Sequence, residues 1–195
     1  MTIKEGQNSD NNQMNIIIRD WQEKDFKNYR YWNNGQFKWK KFNGPYYPQK
    51  TKEEIELEIE TLRKPSPEKV RKRLVIADKQ TDQLIGTVSW YWQSKETNWQ
   101  SIGIALYDDK YWGKGIGFDA LTLWCNYLFD YFEESVRLDL RTWSGNIGMM
   151  KLAEKLGFTL EARFRKARIV DGQYYDSIGY GILREEWKNK NSETI

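Results

Sequence analysis

The stretch Gly113-Lys114-Gly115-Ile116-Gly117 lies at the junction of two unlike segments and limits what the chain around it can become. Before it, residues 101–107 are a mostly apolar run of strand length. After it, over residues 118–132, Ala120, Leu121, Trp124, Tyr127, Leu128 and Tyr131 recur on one face at helical spacing. Glycines at such a junction let backbone N–H groups approach a ligand closely, at the positive end of a helix dipole. That geometry seats phosphate. The chain is therefore expected to bind a phosphorylated cofactor.

Caps and turn residues divide the remainder. Residues 1–13 are polar and expected to be disordered. Residues 14–19 have a strand pattern, and Asp20 can cap a short helix around residues 25–32, with Phe26 and Tyr29 as its apolar positions. Asn33-Asn34-Gly35 ends that helix, and a loop with Gly44, Pro45 and Pro48 follows. Thr51, followed by Glu53 and Glu54, opens a second helix that Pro65 and Pro67 terminate. Residues 73–78 and 84–93 read as strands joined by a turn at Thr81-Asp82, and 97–107 as the next strand. Beyond the glycine junction and its helix come a strand at 136–142 and a helix capped by Asn146 and stopped by Gly157. Two final strands, 158–170 and 173–183, close at the hairpin signal Asp171-Gly172. This order predicts one α/β domain over residues 14–188, with a six- or seven-stranded mixed, mostly antiparallel sheet flanked by helices and one β-α-β unit. Residues 189–195 are expected to be a frayed tail.

Composition excludes several function classes. A chain of 195 residues holds one domain with a real core. Its apolar runs are too short to span a membrane and its start has no signal-peptide pattern, so a cytoplasmic protein without a membrane partner is expected. The 31 lysines and arginines are spread along the chain and nearly balanced by 28 acids, which does not point to nucleic acid. Cys125 is the one cysteine and falls inside a helix pattern, as a packing residue. The chain has no histidine, which removes every mechanism with His as base or metal ligand, and no metal is expected. Ten tryptophans and twelve tyrosines serve core packing or an aromatic acceptor site.

Motif spacing bears on which cofactor is bound. A Walker A loop ends Gly-Lys-Ser/Thr, whereas Gly115 follows Lys114. Residues 115–120 satisfy the glycine spacing of a dinucleotide fingerprint, but the acids that should end the next strand, Glu133 and Glu134, precede it. A third set of matches is ordered along the chain. It comprises Tyr111-Trp112-Gly113-Lys114-Gly115-Ile116-Gly117, Ser144-Gly145-Asn146, and Glu154-Lys155-Leu156-Gly157-Phe158. Over residues 14–188 these resemble the GNAT superfamily of acyl-coenzyme A-dependent N-acetyltransferases. The closing segments Asp171-Gly172-Gln173-Tyr174-Tyr175-Asp176 and Leu183-Arg184-Glu185-Glu186-Trp187 look like the branch with ribosomal-protein N-terminal acetyltransferases; polyamine acetyltransferases are near relatives.

The resemblance implies a particular site. Strands 101–107 and 136–142 would be parallel neighbours that splay apart, with the first two helices on one face of the sheet and the junction helix on the other. The backbone of Ile104, Ala105 and Leu106 would pair with the pantetheine arm of acetyl-CoA. The amides of Trp112, Gly113, Lys114, Gly115, Ile116 and Gly117 would cradle its pyrophosphate, and Asn146 would contact it while capping the next helix. Trp112 stands where the family usually has Gln or Arg, which leaves Lys114 to supply charge.

The resemblance also points to the acid and base positions, and here the chain departs from it. A tyrosine that often serves as general acid falls at Ala153, and a glutamate base of some relatives falls at Arg141. Tyr107, Ser144, Tyr175 and Asp176 remain as candidates, and Asp139 is expected to pair with a neighbouring arginine instead. Without a dedicated base, the rate should follow the acceptor amine's own pKa, about 8 for an α-amine and about 10 for a lysine. The implied activity is direct acetyl transfer, in a ternary complex, to a primary amine and foremost to a protein N-terminus. One alternative acceptor is a small amine, a polyamine or an antibiotic, for which the acids Glu53, Glu54, Glu56, Glu58 and Glu60 would matter; a non-catalytic acyl-CoA-binding module is the other. A monomer or homodimer is expected.

Overall fold

In the computed structural model, residues 2–3, 15–67 and 70–192 are described. Strands β2 (Ile16–Arg19), β3 (Arg73–Asp78), β4 (Leu84–Ser94) and β5 (Trp99–Leu106) form an antiparallel run. β6 (Arg137–Trp143) joins β5 in parallel, and β8 (Gln173–Leu183) lies between β6 and the edge strand β7 (Thr159–Val170), antiparallel to both. These are the seven strands expected, mixed and mostly antiparallel. A two-residue strand β1 (Thr2–Ile3) extends the far edge, with Thr2 opposite Arg19. The rest of the segment expected to be disordered lies outside the described residues.

Strand alternation sends successive side chains to opposite faces and so builds two cores. On one face Leu74, Ile76, Ile85, Val88 and Ile102 pack under α3 (Ile116–Tyr131), which buries Ala120, Leu121, Trp124, Cys125 and Leu128. Cys125 is thus a packing residue, and burial pushes its thiol well above the ordinary value. On the other face Val75, Ala77, Leu84 and Tyr107 meet Phe26 and Tyr29 of α1 (Glu23–Asn34), and Ile55, Ile59 and Leu62 of α2 (Lys52–Arg63). Trp39 belongs to this second core and Trp90 to the first, so much of the tryptophan content is packing.

Local chemistry sets the helix ends. Thr51 Oγ1 accepts from the Glu54 N–H at 3.2 Å while Glu54 accepts from the Thr51 N–H at 2.7 Å, the reciprocal cap read from the sequence. α1 is capped at Gln22, two residues past the Asp20 that the sequence suggested: the Gln22 N–H donates to Asp25 at 2.8 Å, and buried Asp25 is held by Arg19 at 2.7 Å. The β7–β8 hairpin turns at Asp171 (φ 49°) and Gly172 (φ 75°), as the dipeptide indicated. At the chain's end, α5 (Arg184–Ser192) extends into residues read as tail. Trp187 is its anchor, its indole N–H donating to Asn126 of α3 at 2.7 Å.

Candidate functional site

β5 and β6 pair over only three rungs, Gln100 with Leu138, Ser101 with Asp139 and Ile102 with Leu140. Beyond them β5 continues along β4 and β6 along β8, so a wedge opens between the two parallel strands. Tyr107 N donates to Ile85 O at 3.0 Å. In an antiparallel ladder the hydrogen-bonding direction alternates, so Gly103 and Ala105 turn their amides toward β4, while Ile104 and Leu106 turn theirs into the wedge. Ala105 therefore drops out of the expected pantetheine edge. The Leu106 carbonyl accepts from the Trp112 indole at 3.1 Å, which leaves both polar groups of Ile104 and the Leu106 N–H facing the opening.

The glycine stretch closes the end of the wedge. A short 3-10 turn (Asp109–Tyr111) precedes it, and the Trp112 N–H is spent on Asp109 O at 3.0 Å; this removes Trp112 from the expected backbone cradle. Among the described residues, the N–H groups of Gly113, Lys114, Gly115, Ile116 and Gly117 donate to no protein acceptor. Five successive free amides at a helix N-terminus make an anion-binding concavity. Gly113 (φ 70°) and Gly115 (φ 84°) hold left-handed conformations with nothing within 4 Å of an added Cβ, so the space above them is open. Gly117 differs: a Cβ there would lie 3.1 Å from Leu152 of α4 (Ile147–Lys155).

Asn146 caps α4, accepting from Met149 N at 3.1 Å, and its amide also donates to Phe42 O at 3.2 Å. The Trp143 indole donates to the same carbonyl at 2.9 Å, and the Phe42 ring meets Trp112 edge-on at 5.6 Å. Phe42 thereby bridges the two lips of the wedge. No sequence pattern signalled that role.

Behind β5, on the face carrying α1 and α2, lies a cavity of about 290 Å³ that reaches Gly103, Ile104 and Ala105. Thr87 and Ser89 line it, together with Tyr29, Asn33, Trp39, Lys40, Tyr47, Lys50, Arg73 and Tyr107. Of these ten, Tyr107 alone was singled out from the sequence as a site residue. The available signal was in β4, where Thr87 and Ser89 alternate with Val88 and Trp90 and so put hydroxyls on one face.

The electrostatics of the cavity are cationic. Arg73 donates to Glu58 and to the Tyr29 hydroxyl, and Lys50 also pairs with Glu58. Burial works against the Glu58 charge, yet Arg73 and Lys50 hold its carboxyl below the usual range. Lys40 donates to the Asn33 carbonyl, and burial lowers its ammonium pKa. Among the described residues no aspartate or glutamate lines the cavity, and Glu58 is the one acid of the α2 run that is half-buried rather than exposed.

The four proposed catalytic side chains do not converge. Tyr107 lines the cavity at 3% exposure, its hydroxyl 3.1 Å from Thr87 Oγ1, and burial pushes its pKa up to about 12. Ser144 and Asp176 are tied to each other, Asp176 N donating to Ser144 Oγ at 2.9 Å, and the Asp176 carboxylate accepts from Lys166 N at 3.0 Å and meets Arg163 at 3.2 Å. Tyr175 packs edge-on against Trp143 at 4.8 Å. Ala153 is buried, Arg141 is exposed, and Asp139 is held by Arg137 at 2.6 Å.

A family model described as an acetyltransferase (GNAT) domain matches residues 15–159. A prophage SPbeta-derived N-acetyltransferase of Bacillus subtilis strain 168, YokL, is 26% identical over 113 residues. That match covers 58% of this chain and 63% of the relative, so the chain spans under two thirds of that relative's length. Among solved structures, the spermidine N-acetyltransferase of Vibrio cholerae, in complex with CoA and spermine, superposes with a TM-score of 0.75 at 18% identity, covering 91% of this chain and all (100%) of that one. A GNAT-family acetyltransferase from Bacillus anthracis gives 0.72 at 19% identity, over 95% and 100% of the two chains. At these identities the likeness to solved structures is one of fold.

Proposed function

The chain belongs to the GNAT acetyltransferase family, and from that premise we propose that it is an acetyl-CoA-dependent N-acetyltransferase acting on a primary amine, a protein N-terminal α-amine above all, as in the ribosomal-protein branch. One observation carries this reading. β5 is shared: Ile104 faces the wedge with its polar backbone while residues 103–105 wall the cavity on the other side. A donor held in the wedge and an acceptor held in the cavity would meet across that strand.

The residues present fit acetyl-CoA. The free amides from Gly113 to Gly117 suit a pyrophosphate, and Ile104 with the Leu106 N–H offers a strand edge for an amide-bearing arm. Bound there, acetyl-CoA supplies an activated acetyl group: the N–C bond forms as the C–S bond breaks, and one proton passes overall from the amine to the thiolate. The protein's part is to position, to exclude water and to place backbone donors where negative charge develops. Tyr107 stays protonated and hydrogen-bonded to Thr87, so it orders the cavity wall and does not accept a proton near neutrality. Single substitution of Tyr107, Ser144, Tyr175 or Asp176 should lower turnover by roughly 100-fold at most, the low end of a dedicated acid or base.

A polyamine acceptor would need acids in the cavity, and its lining argues against one. Acetylation of a panel of peptides and small amines, followed by mass spectrometry beside calorimetric titration of acetyl-CoA, tests the reading. Tight acetyl-CoA binding without transfer to any amine would identify a binding module instead.

A further inference from the structure

Building on the transferase reading above, we propose that the acceptor is an amine carrying a carboxylate close to its nitrogen, with a peptide bearing Asp or Glu in its first two residues as the favoured form. The argument is a charge count inside the 290 Å³ cavity. Three cations, Lys40, Lys50 and Arg73, line it, and among the described residues the carboxylate paired with them is Glu58, shared by Lys50 and Arg73. Lys40 has no carboxylate partner among the described residues; its bond to the Asn33 carbonyl uses one of three ammonium donors and leaves two for a ligand. A cavity with two cations in excess repels a polycation and attracts an anion. Buried aromatic walls, Trp39, Tyr29 and Tyr107, lower the local dielectric and strengthen both effects.

The same charges bear on the missing base. Cations near a bound ammonium disfavour its charged form, so they promote the free amine that attacks. The carboxylate of the acceptor then supplies the attraction that the amine loses. An acidic amine is thus both held and activated by one set of residues. The volume fits a terminal residue or two and not a long chain.

Three sets of acceptors decide it: matched hexapeptides with Glu or Lys at position 2, free glutamate, and spermidine. The Glu peptide should exceed the Lys peptide in kcat/KM by about tenfold or more, the worth of one charge-assisted hydrogen bond. The ratio should shrink in Lys40→Gln and Lys50→Gln and invert in Lys40→Glu; because it is a ratio, a general loss of folded protein does not move it. Faster acetylation of free glutamate than of the peptide would assign the carboxylate to a small amino acid. Equal or better use of spermidine or the Lys peptide by the wild type would overturn the proposal while leaving acetyl transfer standing. If no amine is acetylated, the transferase reading falls, and calorimetry with the same peptides still tests the charge preference: an acidic peptide bound no tighter than the basic one refutes it.

Discussion

A Cβ built on Gly115 meets open space, yet its φ of 84° lies where an L-residue is strained by about 1–2 kcal/mol. Gly117 has ordinary dihedrals, but its Cβ would press on Leu152 at 3.1 Å. The two glycines are therefore needed for different reasons, one of backbone and one of packing. Gly115→Val should weaken acetyl-CoA binding by unsettling the free amides, and Gly115→Asn, which tolerates left-handed geometry, should weaken it less. Gly117→Val should also lower thermal stability, through α4. Calorimetry and melting curves on the three variants separate these effects; equal losses of affinity in the Asn and Val variants at position 115 would remove the conformational explanation.

At the scale of elements, β5 carries the site because its two edges do different work. The Ala105 N–H belongs to the β4 ladder, whereas the Ile104 N–H faces the wedge. Proline at a strand position is tolerated where its missing N–H faced no partner. Ile104→Pro should cost acetyl-CoA affinity by about tenfold or more with a modest fall in Tm, and Ala105→Pro should mainly lower Tm. The reverse pattern, read by thermal melting and titration, would show that the hydrogen-bonding phase of β5 has been misassigned. This phase was not legible in the sequence. Element order, the Thr51 cap, the Asp171-Gly172 turn and the glycine junction were, because each is local chemistry written within a few residues. The three-rung limit on β5–β6, the insertion of β8 between β6 and β7 and the bridging by Phe42 depend on contacts between residues far apart in the chain.

For the whole molecule, the cationic cavity changes what the sequence alone implied for pH dependence. The acceptor face is assembled from α1 (Tyr29, Asn33), the segment after it (Trp39, Lys40, Tyr47, Lys50), β3 (Arg73), β4 (Thr87, Ser89) and Tyr107 just past β5, with Glu58 of α2 paired to Arg73 and Lys50, and no segment of the chain displays it by itself. Without those cations the rate would follow the free amine, with an inflection near about 8 for an α-amine in both kinetic parameters. With them, the bound and unbound amines titrate differently. The profile of kcat/KM reports free reactants and should keep its inflection near about 8, while kcat reports the bound complex and should turn near about 7, since neighbouring positive charge lowers an ammonium pKa. Tyr107, with its pKa pushed up to about 12, adds no limb between pH 6 and 10. Lys40→Gln removes one cation and should move the kcat inflection up toward that of kcat/KM. Steady-state profiles of wild type and Lys40→Gln over that pH range, at two salt concentrations, measure the gap; coincident inflections in the wild type would mean that the cavity's charge does not reach the amine.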